Sequence, residues 1–269
     1  MKKARCVAVV LSGGRGKRMG TALAKQYLTI HDRPVLWYSL DVFERSGVID
    51  EVILVTGKGQ IPYCRQEIVE KYGFRKIRAV VEGGAERYHS VWEGLRVLEQ
   101  AGWKDGYVFI HDGARPFISE AILERAFEEV IRSRACVVGM PVKDTVKIAD
   151  EKGCIHMTPK RSLVWQIQTP QVFAADLIIA AYREVIDKEQ VLLEQGIQIT
   201  DDAMVVENVC GCPIRLVEGA YENLKITTPE DMEIAEIFAA RRLLPHSMKC
   251  NTPVTFDAHR QKNEKICKR

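Results

Sequence analysis

No stretch of this 269-residue chain is long and apolar enough to span a membrane, and its basic N-terminus runs into a strand-like segment without a signal-peptide pattern. Its eight cysteines (Cys6, Cys64, Cys136, Cys154, Cys210, Cys212, Cys250 and Cys267) include no C-x-x-C pair, and Cys6 and Cys136 fall inside strand-like runs. That usage reads as reduced thiols in a cytoplasmic protein rather than a disulfide framework. Cys210-x-Cys212 lacks a second ligand pair nearby, which argues against a zinc site. There is no internal repeat and little net charge, +3 in all. Residues 245–269 alone carry +4, leaving the body near −1, so the basicity belongs to a tail and is not a nucleic-acid footprint on the domain. That tail has no apolar stripe and is expected to be poorly ordered. What remains, with 46% hydrophobic content, suits one large α/β domain spanning 1–244.

The densest chemistry follows the apolar run Cys6–Val10. It is Leu11-Ser12-Gly13-Gly14-Arg15-Gly16-Lys17-Arg18-Met19-Gly20, with Lys25-Gln26-Tyr27 shortly after. β-Branched residues make the first run a buried strand. Glycines at its carboxyl end let backbone N–H groups approach an anion, and the cations supply charge. Two common phosphate loops are excluded. A Walker motif needs Ser or Thr after its lysine, and Lys17 is followed by Arg18. The dinucleotide fingerprint needs glycine at position 19, which is Met, and an acidic residue closing strand two, which ends Val55-Thr56-Gly57.

Further strands are expected at 51–55, 77–81, 107–110, 135–140 and 214–217. Between them come helices opened by Pro34, around 61–72, out of the stretch Glu82–Val91 to about Ala101, after Ser119, near 175–188 and 200–208, and from Thr228. Such alternation predicts βαβ crossovers: an α/β, Rossmann-like, mainly parallel twisted sheet with helices on both faces. Ligands of such sheets sit beyond the carboxyl ends of the strands, where residues 12–25, 83–90 and 111–116 all fall. From 142 to 165 the pattern breaks into an alternating segment with a turn at Asp150-Glu151-Lys152-Gly153. It is expected to form a protruding β-arm resting on a second copy of the chain.

Six motifs, in order, resemble those of the 2-C-methyl-D-erythritol 4-phosphate cytidylyltransferase family, CTP-using enzymes of non-mevalonate isoprenoid synthesis. They are the first loop with Lys25-Gln26-Tyr27; Gly83-Gly84-x-x-Arg87-x-x-Ser90-Val91; His111-Asp112-Gly113-Ala114-Arg115-Pro116; Asp144-Thr145-Val146-Lys147; Arg161 ahead of Trp165 and Gln168-Thr169-Pro170-Gln171; and Asn223-Leu224-Lys225-Ile226-Thr227. The likeness covers about residues 4–241. It implies that Arg18 and Lys25 stabilise the transition state at the α-phosphate, and that Arg161 and Lys225 hold the acceptor phosphate. It places Asp112, Arg115, Thr145 and Thr169 at the acceptor, with Asp112 nearest a Mg²⁺ ion. Gly13, Gly14, Gly16, Gly84, Ala85 and Ser90 would surround the cytosine. Ala85 stands where the family often has an acidic residue. The resemblance also implies a homodimer joined through the arm, with CTP and a polyol phosphate as substrates.

The phosphate nucleophile of that reaction is already an anion. The lack of an evident Ser-His-Asp or Cys-His constellation is therefore expected, and His89 and His111 read as structural. Ribitol-5-phosphate cytidylyltransferases share the first loop, the Arg-Pro motif, Thr-Pro-Gln and Lys-Ile-Thr. Sugar-1-phosphate nucleotidyltransferases share only the loop. A CTP-binding regulator with a nucleic-acid-binding tail is the alternative of another class. An Asp112–Arg115 salt bridge and a solvated Lys225 are the bland readings of those residues.

Overall fold

The computed structural model of the chain describes residues 4–14 and 24–243. The loop residues Gly16 and Arg18 and the tail from 245 lie outside the described residues.

The elements run β1 (Cys6–Ser12), a 3₁₀ turn (Lys25–Tyr27), β2 (Thr29–Ile30), β3 (Arg33–Pro34), α1 (Val35–Arg45), β4 (Glu51–Thr56) and α2 (Ile61–Tyr63), which continues as a π-helical stretch (Cys64–Glu70). Next come β5 (Ile77–Glu82), α3 (Arg87–Gln100), β6 (Tyr107–Asp112), α4 (Glu120–Ser133), β7 (Ala135–Pro141), β8 (Ile148–Ala149) and β9 (Ile155–Met157). After a 3₁₀ turn (Arg161–Leu163) follow β10 (Trp165–Ala174), α5 (Ala175–Asp187), α6 (Glu189–Glu194), α7 (Asp202–Cys210), β11 (Arg215–Glu218) and α8 (Pro229–Leu243).

Seven strands form one sheet in the order β11-β7-β10-β6-β1-β4-β5. β1 shows why it forms. Cys6, Ala8 and Val10 pack on one face with Leu36, Leu40 and Phe43 of α1, and with Ile122, Ala126 and Val130 of α4. Val7 and Val9 pack on the other with Val91, Leu95 and Leu98 of α3 and Ile178 and Tyr182 of α5. A strand covered on both faces reads as a continuous apolar run, and each fully buried Val, Leu, Ile or Phe side chain contributes about 1.5–3 kcal/mol by leaving water. A third cluster, Ile30, Val35, Tyr38, Phe117, Ile226, Ala235 and Ala239, docks α8. Its start is held as the sequence suggests: the Asp231 carboxylate accepts from the backbone N–H groups of Thr227 and Thr228 at 2.7 and 2.9 Å. Ser119 sits at the N-cap of α4, but its hydroxyl makes no capping bond.

One expectation needs correction. The arm does not run to Trp165 as an isolated ribbon, because Trp165 opens the ten-residue strand β10. β10 is antiparallel to both neighbours, β6 and β7, in an otherwise parallel sheet. Its register shifts between Ile167 and Gln171, where the Thr169–Pro170 bond is cis. Three polar residues and the interior Pro170, consecutive from Gln168 to Gln171, hide this strand from a periodicity reading. The bulge is what turns them toward the site. The ribbon itself is short: β8 pairs only with β9, and residues 147–158 are all exposed.

The chain leaves β1 for β4 on one side and returns to β6 on the other. The strand order therefore reverses between β1 and β6, the kind of switch point whose carboxyl edge takes ligands.

Candidate functional site

Strand register places the site's floor. Leu11 of β1 lies beside Asp112 of β6, and Ser12 beside Thr56 of β4. At β1 the Gln26 amide donates to the Ser12 carbonyl, which fastens the Lys25–Tyr27 turn to the strand end. The Tyr27 hydroxyl sits 2.9 Å from Thr56 Oγ1 and 2.8 Å from Cys64 Sγ in the core. Lys25 thus rides on a turn anchored at both following residues, and its Nζ donates to the Ile226 carbonyl at 2.7 Å. Gly13 follows β1 and lies against the backbone of Thr56 and Gly57 at the end of β4.

After β5, Gly83 and Gly84 pack under the first turn of α3. A Cβ on Gly83 would lie 2.5 Å from Ser90 Oγ, and one on Gly84 2.4 Å from the His89 Cβ. Glycine is needed there for close approach, independently of any ligand. Glu86 and His89 form a reciprocal capping box at the start of α3. The Ser90 hydroxyl donates to the Glu86 carbonyl at 3.1 Å, and Ala85 is exposed beside it.

At β6 the buried Asp112 is the hub. Its Oδ1 accepts from Arg87 Nε at 3.1 Å and its Oδ2 lies 2.6 Å from Lys225 Nζ. Burial alone would raise the carboxyl pKa. Arg87 first, then Lys225, overcome that and hold it well below the usual range. Lys225 is therefore not a merely solvated lysine, and the partners of Asp112 are Arg87 and Lys225 instead of Arg115. Arg115 donates to the carbonyls of Asn223 (2.8 Å) and Ile167 (3.3 Å), tying the β6 loop to β10 and to the segment carrying Lys225.

Beneath Asp112 runs a chain of donors. His111 faces the Arg115 carbonyl with Nε2 at 3.1 Å and Thr169 Oγ1 with Nδ1 at 3.1 Å. A carbonyl only accepts, so Nε2 carries the proton and the Thr169 hydroxyl donates to Nδ1. Thr169 Oγ1 in turn accepts the backbone N–H of Asp112 at 3.1 Å. Thr169 is buried with its hydroxyl engaged on both sides. Burial pushes the His111 pKa down to about 4. The unfolded chain binds a proton at this histidine near pH 6.5 and the folded one does not, so stability falls as pH drops from about 6.5 to 4, by about 3 kcal/mol. The group contributes no pH dependence above that window. Thermal melts of His111→Gln against the parent chain check this: the variant should lose that part of the acid slope. An unchanged slope would assign it elsewhere.

The structure joins Asp112 to Lys225 directly and to Thr169 through its backbone N–H, and the Arg115 and Lys25 side chains bond the carbonyls of Asn223 and Ile226 on either side of Lys225. Thr145 and Arg161 are exposed on the segment 142–163, where Arg161 Nη1 reaches the Lys143 carbonyl at 3.5 Å. Gly16 and Arg18 lie outside the described residues. Two participants escape a sequence reading. Arg87 sits in a quoted motif without an assigned role, and Asp202 carries no motif signal at all. Asp202, fully buried at the start of α7, grips both Arg87 Nη atoms at 2.8 Å.

Among the described residues no group of three His, Cys, Asp or Glu side chains forms a metal cage. A single carboxylate at the edge nonetheless fits a Mg²⁺ ion that keeps waters and takes its other ligands from substrate phosphates. Among the described residues, too, no helix is long and apolar enough to cross a membrane.

The family model for 2-C-methyl-D-erythritol 4-phosphate cytidylyltransferase (IspD) matches residues 6–241. The enzyme of that name from Lachnospira eligens is 49% identical over 233 residues, covering 86% of this chain and 97% of that protein. The one from Geobacter metallireducens is 45% identical over 236 residues, covering 88% and 98%. The crystal structure of 4-diphosphocytidyl-2C-methyl-D-erythritol synthase from Anaerococcus prevotii superposes with a TM-score of 0.75 at 33% identity, covering 88% of this chain and 96% of that one. With a family model spanning the whole sheet and relatives matched over nearly their full length, the chain belongs to the 2-C-methyl-D-erythritol 4-phosphate cytidylyltransferase family.

Proposed function

We propose that the chain transfers CMP from CTP to 2-C-methyl-D-erythritol 4-phosphate and releases pyrophosphate, a step of isoprenoid precursor synthesis. Family membership supports the reaction. The observation that carries the mechanism is the composition of the site: Arg87 and Lys225 pair with one carboxylate, Asp112, while Arg115 and Lys25 bond the carbonyls of Asn223 and Ile226 on either side of Lys225. The imidazole within it, His111, is buried, neutral and used on both nitrogens. Such a site is poorly made for proton abstraction and well made for bringing two anions together. The acceptor phosphate is an ionised nucleophile and needs no base. The barrier lies in the approach of like charges and in the departure of pyrophosphate.

In this reading Lys25 and Arg18 meet the charge that builds at the α-phosphorus. Lys225 and Arg161 hold and aim the acceptor phosphate, Lys as a compact point charge and Arg as a bidentate fork. Asp112, Arg115 and Thr145 face the acceptor, and Thr169 acts from below by holding the Asp112 backbone. Backbone at Gly13, Gly14, Gly16, Gly84 and Ala85, with Ser90, surrounds the cytosine. Asp112 is the residue that would hold Mg²⁺, which when bound neutralises triphosphate charge. We place the enzyme in the cytoplasm as a homodimer joined through the 142–165 segment.

Pyrophosphate release from CTP, measured in parallel with methylerythritol phosphate and ribitol 5-phosphate, tests the substrate. Turnover is expected with the first and little with the second. The reverse preference, or CTP binding without turnover, would overturn the assignment. A chain ended after Leu244 should keep full turnover, because every proposed site residue precedes that point. A folded but inactive truncate would place the tail in the site.

A further inference from the structure

Asp112 has two cationic partners of unlike character. Lys225 is 39% exposed along its side chain and sits on the segment before α8. Its ammonium has three rotatable donors, and a four-carbon stem lets it swing. Arg87 is the opposite. Both its terminal nitrogens are clamped at 2.8 Å by the two oxygens of Asp202, leaving Nε aimed at Asp112. Asp202 itself is fully buried and also accepts from the Tyr182 hydroxyl, which is fully buried too. Burial alone would disfavour the Arg87 charge, yet Asp202 first and Asp112 second favour it strongly. The four groups, two cations and two carboxylates, are neutral as a set. Each carboxylate oxygen of Asp112 is matched by one cation.

In the free enzyme this arrangement occupies Lys225. For Lys225 to turn to an arriving phosphate, Asp112 must be left with a counter-ion, since a buried carboxylate without one is strongly disfavoured. Of the two side chains paired with this carboxylate, Arg87 is the one placed to remain, and it is in place before any metal ion arrives. A bidentate guanidinium–carboxylate pair is geometrically fixed, and removing one member frees the other to rotate. We propose that Arg87, locked by Asp202, is the standing counter-ion of Asp112, and that this lock releases Lys225 to bind the acceptor phosphate. Asp202 and Tyr182 are then positioning residues for acceptor binding, although neither touches substrate. The proposal rests on the acceptor role given above to Lys225 and Asp112.

The test is Asp202→Asn, which keeps the side-chain shape and removes the charge that clamps Arg87. The KM for methylerythritol phosphate should rise by about tenfold or more, with the KM for CTP changed far less. Tyr182→Phe removes only one hydrogen bond to Asp202 and should raise the same KM by a smaller factor. It also serves as the readout if Asp202→Asn melts below assay temperature. A structural role alone would lower the melting temperature and the amount of active enzyme, not shift one KM selectively.

The decisive comparison is a double-mutant cycle. Because Asp202 acts through Asp112, adding Asp202→Asn, or Tyr182→Phe in its place, to Asp112→Asn should change the acceptor KM little beyond the single Asp112→Asn variant. Full additivity would overturn the lock, as would an unselective loss of kcat with both KM values intact. A separate failure is distinguishable: if Asp112→Asn and Lys225→Ala leave acceptor kinetics unchanged, the acceptor reading itself is wrong.

Discussion

Replacing Lys25 by alanine is expected to lower kcat by about a hundredfold or more while raising the KM for CTP far less, and Arg18→Ala should behave in the same way. The reason lies in where the charge is held. The Gln26 amide and the Tyr27 hydroxyl fix the turn that carries Lys25, so its ammonium is delivered to the site by the fold. Its carbonyl partner belongs to Ile226, next to Lys225, which brings the two lysines to neighbouring positions in the site. Negative charge concentrates at the α-phosphorus only as it becomes five-coordinate. A preorganised cation there gives more to the transition state than to bound CTP, and losing one such stabiliser costs about 3 kcal/mol. Steady-state pyrophosphate release at saturating acceptor separates the two constants. A retained kcat with weakened CTP binding would make Lys25 a ground-state contact.

How far this site can be read from sequence follows from the range of each interaction. The β1 loop announces itself because an apolar run, a glycine cluster and cations adjoin in the chain. Asp112 and Lys225 are legible as motif residues, although their 2.6 Å contact is not, since it joins positions more than a hundred residues apart. The Arg87–Asp202 pair spans a separation of 115 and follows no period, so only the fold, in which α5 packs against both α3 and α7, exposes it. β10 is hidden for a different reason. Gln168, Thr169, Pro170 and Gln171 look like loop residues because their side chains serve the site. Asn223, for example, donates to Gln168 Oε1 and to the Thr169 carbonyl at 3.2 and 2.9 Å. Sequence patterning fails where function displaces packing, and here that place is the bulge under Asp112.

Arg161→Ala is expected to depress turnover by about a hundredfold as well, and to be rescued by a partner subunit. Within one protomer Arg161 reaches only the Lys143 carbonyl by a described hydrogen bond, and Lys143 itself lies over the Tyr221 ring at 3.4 Å. The segment around it exposes Ile148, Ile155, Met157 and Leu163, the last by 75%. A two-stranded ribbon of this length has marginal stability in water, and an exposed apolar row on it calls for a covering surface. In the proposed homodimer a second copy would supply that surface through a two-fold exchange of ribbons, which would carry Arg161 and Thr145 of one chain to the site of the other. If so, an Arg161→Ala chain paired with an Arg18→Ala chain rebuilds one intact site out of two. Random exchange makes half the dimers mixed, so an equimolar mixture should recover about a quarter of parental activity. Mixing the two inactive variants, with exchange followed by tagged-subunit capture, reads this directly. Activity no greater than that of either variant after demonstrated exchange would keep Arg161 within its own chain, and a monomer in sedimentation at assay concentration would remove the shared site.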